Sequence, residues 1–167
     1  MNIREVLLAE HSKRQTMKIV RYVGQDPKRF RELMTIFLGN EYRPTQRAAW
    51  AVNYCAEHHP ELVRPYLTRM VAMLESEDGH DAIRRNVARS LQFVDIPPRL
   101  QGRLYAACYD LVDDPNQPVA VRVFALSVAG KLAKDKPDLM NELRLLCSKY
   151  LPTASAGFRS RARKVLA

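Results

Sequence analysis

Arg14, Lys18 and Arg21 stand four and three residues apart, so on a helix their cations share one face. Arg85 and Arg89 repeat the four-residue step, as do Arg159 and Arg163, while Arg161 and Lys164 form a second pair beside them. Cations placed this way can meet phosphates or carboxylates. They supply charge to a phosphate backbone, but reading a base sequence needs base-edge or stacking groups at defined places, and no such set stands out. Trp50 is the single tryptophan of the chain; its place among apolar residues suits core packing.

Other chemistries lack their residues. The sequence has no glycine-rich phosphate loop, no HExxH motif, and no nucleophile with a base at recognisable spacing. An enzyme is therefore the weaker expectation, and no cofactor is expected. His58 and His59 are the only close histidine pair, and they read as a helix end, where polar or cationic groups suit exposed carbonyls. No metal site is expected. Cys55, Cys108 and Cys147 are odd in number, far apart and set among apolar residues, which favours reduced, buried thiols.

The formal charge is +9, and it is unevenly spread. Residues 1–43 carry nine Lys and Arg against five Asp and Glu, residues 44–142 carry twelve against thirteen, and residues 143–167 carry six against none. The excess lies at the two ends. It suits an acidic protein, a nucleic acid or an anionic surface, or it serves solubility alone. No run of about 18 apolar residues exists and the first residues lack a secretory pattern, so a soluble, cytoplasmic protein with no membrane span is expected.

The elements that must position these cations follow from two rulers. Pro27, Pro60, Pro97 and Pro137 each open a segment of helical periodicity, where a first-turn proline is tolerated because its missing N–H would be unpaired anyway. Arg14, Arg47, Arg84, Arg122 and Arg159 recur at separations of 33, 37, 38 and 37 residues. Between them the rulers predict helices over about 27–38, 45–57, 60–74, 81–93, 97–112, 119–132, 137–150 and 158–166. They are preceded by a helix from about Asn2 to Val23, which is either continuous or broken near His11 and Ser12. No long linker interrupts the series, so one domain over residues 1–167 is expected. A lone helical hairpin cannot bury both faces, whereas stacked hairpins make a continuous core.

This period resembles that of HEAT repeats. Asp114, Val121, Arg122, Ala125 and Leu126 match the family pattern best, then Asp78, Ile83, Arg84, Val87, Ala88 and Leu91, with Arg47, Trp50 and Ala51 looser. The last unit keeps Arg159, Ala162 and Leu166 but has no Asp in its turn. The resemblance implies an all-α, right-handed superhelix of about four HEAT-like hairpins with a leading N-terminal helix. It further implies that the recurring Asp and Arg form a ladder between turns. Arg122 is then expected on Asp114 or a neighbouring turn, not on a ligand.

The resemblance also implies a concave side lined by the second helix of each hairpin. The expected role is a non-catalytic scaffold whose partly basic groove engages a protein or acidic peptide, with nucleic-acid binding along a basic stripe as the alternative. A third reading comes from a weaker likeness to the HEAT-like DNA alkylation repair glycosylases. In it Trp50 would offer its face to a cationic base and Glu57, about two turns on, would supply a carboxylate.

Overall fold

A computed structural model describes residues 1–39, 41–76 and 80–167. Among these the secondary structure is entirely helical, and the chain divides into two compact units. The first comprises Met1–Leu67 with Phe93–Asp95, the second Thr68–Gln92 with Ile96–Ala167.

In the first unit, α1 (Ile3–Ala9) and α2 (Lys13–Val23) are separate helices. The break falls at His11 and Ser12 because Ser12 turns extended and its side chain accepts the amide of Gln15, acting as the N-cap of α2. Gly24 ends α2 at φ 50°, a value that favours glycine. Asp26 then caps α3 (Pro27–Phe37) by accepting from Lys28 and Arg29, with Pro27 in the first turn. The longest helix, α4 (Tyr42–His58), starts three residues earlier than the expected Thr45, because Pro44 fits within its first turn. It packs on α1, α2 and α3 around Ile19, Phe30, Leu33, Met34, Phe37 and Val52.

The helix expected over 60–74 is not continuous. Residues Pro60–Leu62 and Arg64–Tyr66 form two 3-10 turns, and α5 proper covers only Leu67–Glu75. Pro65 explains this, since it has no N–H to give the carbonyl four residues back and its ring would crowd that carbonyl.

The second unit holds most of α5 and all of α6 (Asp81–Leu91), α7 (Pro98–Asp113), α8 (Val119–Ala133), α9 (Pro137–Tyr150) and α10 (Ala156–Leu166). Pro97 stands outside α7 as its extended N-cap, as a residue before proline should. Ser155 caps α10 by accepting the Phe158 amide. Helix α8 packs against α6, α7, α9 and α10, so its apolar residues are spread around it and not confined to one stripe. Its own Leu126 is fully buried, as are Leu91, Leu104, Leu143 and Phe158 of the helices around it. A Cβ on Gly130 would stand 2.3 Å from Val165 Cγ1, so α10 crosses α8 where only a hydrogen fits. Among the described residues no helix is long and apolar enough to cross a membrane.

Candidate functional site

The recurring arginines divide by what their guanidinium groups meet. Arg122 donates from Nε and Nη2 to the carbonyl of Val112, at 3.0 and 2.8 Å, near the C-terminal end of α7. Its guanidinium carbon also lies 4.4 Å from the Tyr150 ring centre and 4.7 Å from that of Phe158. Arg84 donates to the Ser76 carbonyl just beyond α5, at 2.5 Å, and Arg47 reaches the carbonyls of Leu7 and Leu8 on α1, at 2.8 and 3.0 Å. Each satisfies carbonyls at a helix C-terminus, where the backbone leaves them unpaired and partly negative.

The expected Asp114–Arg122 ladder is therefore corrected in its atoms. Asp114 is occupied within its own turn, accepting from the Asn116 amide and Gln117 Nε2, both at 2.9 Å. Arg122 passes it to reach a backbone oxygen. Asp78 lies outside the described residues.

Of the cations singled out in the sequence, Arg14, Lys18 and Arg21 are exposed along α2 in the first unit, with Arg14 in a 3.0 Å pair with Glu10. In the second unit Arg85 is exposed, while Arg89 is half-buried with its guanidinium 6.0 Å from the Phe124 ring centre. Arg161 points inward, to Ser127 Oγ at 2.5 Å and Gln92 Oε1 at 3.3 Å, so it ties α10 to α8 and to the residue after α6. Arg159, Arg163 and Lys164 are exposed on α10.

Trp50 is half-buried and takes the His11 ring edge-on at 5.8 Å between centres. Glu57 is exposed near the C-terminal end of α4, and His59 is the cap of that helix. Cys55, Cys108 and Cys147 are buried free thiols. Burial pushes the Cys55 thiol up to about 12 and that of Cys147 up to about 11.

Two of the α10 cations frame a groove. Arg159 and Arg163 rim a concavity of about 500 Å³ whose floor is Leu151, Ala162 and Leu166. Spacing along α10 puts 159 and 163 on one edge and 162 and 166 beside them. On the other side of α10, Lys164 joins Lys131, Lys134 and Arg144 around a second concavity of about 400 Å³. Neither lining includes an Asp or Glu side chain.

A third concavity, of about 530 Å³ between α5 and α7, is mixed in sign, with Glu75, Asp110 and Asp114 beside Arg84 and Arg103. There Arg103 grips Glu75 through two hydrogen bonds, at 3.0 and 2.6 Å, and holds its carboxyl below the usual range. Among these concavities, the two beside α10 have Arg or Lys but no Asp or Glu in their linings, which both also include Leu166 and Ala167.

Lys131, Lys134, Arg144 and the apolar floor were not legible as site residues in the sequence. Lys131 and Lys134 lie at the end of α8 and Arg144 in the middle of α9, so only packing brings them together. A family model described as a HEAT repeat domain matches residues 3–167. No curated protein and no solved structure matches the chain.

Proposed function

The chain belongs to the HEAT repeat domain family, and on that premise we propose that it is a non-catalytic scaffold that engages an acidic protein or peptide segment. HEAT repeats generally mediate protein–protein interactions as scaffolds. The observation that carries the acidic character of the partner is the groove on α10, where Arg159 and Arg163 stand over Leu151, Ala162 and Leu166 with no acidic side chain in the lining. An amphipathic segment would bury its apolar side chains on that floor while its carboxylates meet the two guanidinium groups, whose planar forks suit a carboxylate. The exposed cations of α2, Arg14, Lys18 and Arg21, are proposed as a separate electrostatic contact in the first unit.

The test is fluorescence anisotropy with a labelled acidic amphipathic peptide, the full chain and Arg159→Glu/Arg163→Glu, run beside generic duplex DNA. Binding of the peptide, weakened at least about tenfold by the double charge reversal, is expected. Failure of the peptide to bind at low salt overturns the reading. DNA affinity that exceeds peptide affinity, and that falls about a thousandfold between about 50 and 200 mM salt, as roughly six phosphate contacts would require, replaces it with phosphate-backbone binding.

A further inference from the structure

We infer that the concavity bounded by Lys131, Lys134, Arg144 and Lys164 is a binding site for a compact, soluble anion of the polyphosphate type. It shares no cation with the acidic-segment groove and stands whether or not that groove has the proposed role.

The site is assembled by three helices. Lys131 and Lys134 are three residues apart at the end of α8 and so share a face, Arg144 comes from α9, and Lys164 from the last turn of α10. The glycine contact forces them together. Because Gly130 lets Val165 sit against the α8 backbone, the residues next to each, Lys131 and Lys164, are carried into the same concavity. Lys131 is fixed there by donation from Nζ to the Gln92 carbonyl at 3.2 Å.

Convergence of like charges opposes folding, and elsewhere the surface offsets it with acids: Arg4 with Glu41, Arg103 with Glu75, Lys149 with Asp113. Here no Asp or Glu lines the concavity, and among the described residues Lys134, Arg144 and Lys164 form no ion pair. The helix ends offset part of the charge. The C-termini of α8 and α10 each contribute about half a negative charge, which leaves Lys134, Arg144 and Lys164 with a surplus of about two. Helix ends also account for lysines at 131, 134 and 164, but not for Arg144 in the middle of α9.

The space, about 400 Å³, is bounded and local, so it suits a cluster of phosphate groups and not a long strand. Arg144 would grip two oxygens of one phosphate through its fork, and the lysines would act as point charges on the others.

Isothermal titration of the full chain with tripolyphosphate, at about 100 mM salt so that distant charges are screened, tests the site. One anion per chain is expected to bind, and Lys134→Glu/Arg144→Glu should weaken it at least about tenfold. Both residues are exposed, so the variant should fold, which circular dichroism checks. Arg159→Glu/Arg163→Glu should leave tripolyphosphate binding nearly unchanged while it removes the acidic peptide. No binding, or equal losses in both double variants, overturns the site and shows only diffuse surface charge. Capture by vesicles bearing polyphosphorylated headgroups without binding of tripolyphosphate overturns it in favour of a membrane surface.

Discussion

Arg122 and Arg159 stand 37 residues apart at corresponding positions of the sequence period, yet one is 9% exposed and the other lies open on its helix. Arg122 has a helix end beneath it and two aromatic rings around it, from Tyr150 and from Phe158 of α10. Arg159 instead rims a groove. The same residue type is thus held within the fold where a helix end and two rings meet it, and stays exposed where they do not. Periodicity alone does not separate the two uses; the partners of the guanidinium do.

The largest expected effect breaks that comparison at its buried member. Arg122→Ala removes two hydrogen bonds to Val112 and leaves its carbonyl without them, and it deletes a cation held between rings. It should destabilise the chain by about 3 kcal/mol in urea unfolding, whereas Arg159→Ala should change stability by less than about 0.5 kcal/mol. Equal losses in the two variants would dissolve the distinction.

A smaller effect concerns the packing that positions α10. Gly130→Ala places a methyl 2.3 Å from Val165 Cγ1, and valine is stiff, so α10 must shift. Overpacking costs about 1–3 kcal/mol, partly offset by about 1 kcal/mol of helix propensity, so a net loss of about 1 kcal/mol is expected. Adding Val165→Ala should recover most of it, which thermal unfolding would show.

The smallest effect is the pH response of the exposed ion pairs. Hydrogen bonds from Arg103 hold the Glu75 carboxyl below its usual range, and Lys149, then Tyr150, do the same for Asp113. A depressed carboxyl contributes stability that is full above its unfolded value, about 4, and is lost as pH falls through the folded value. The urea midpoint should therefore drop modestly as pH falls below about 4, and Glu75→Gln with Asp113→Asn should flatten that part of the curve.

The helical architecture was readable because it rests on local signals. Ser12, Asp26 and Ser155 cap helices where the sequence turns, and Pro27 and Pro137 open helices as a first-turn proline should. Over 60–74 the apolar period alone suggests one helix, but Pro65 inside it breaks the first half into 3-10 turns.

The site was less legible. Arg159, Arg163 and Lys164 stood out because α10 carries no acids, but their neighbours Leu151, Lys131, Lys134 and Arg144 come from other helices. Arg161 looked equivalent to them and is turned inward onto Ser127 and Gln92. Which way a helix is rotated depends on its packing, here on the hydrogen of Gly130, and that is a tertiary fact.

The rings over Arg122 also bear on how the second unit opens. If α10 detaches, Phe158 leaves, and a cation sheltered by it is exposed over the last turn of α7. Local opening of the final helix therefore loosens amides a hairpin earlier, so hydrogen exchange at the end of α7 should report motions of α10. The opening of α10 is then opposed by a neighbour with its own protection at stake, which couples the two into one cooperative step.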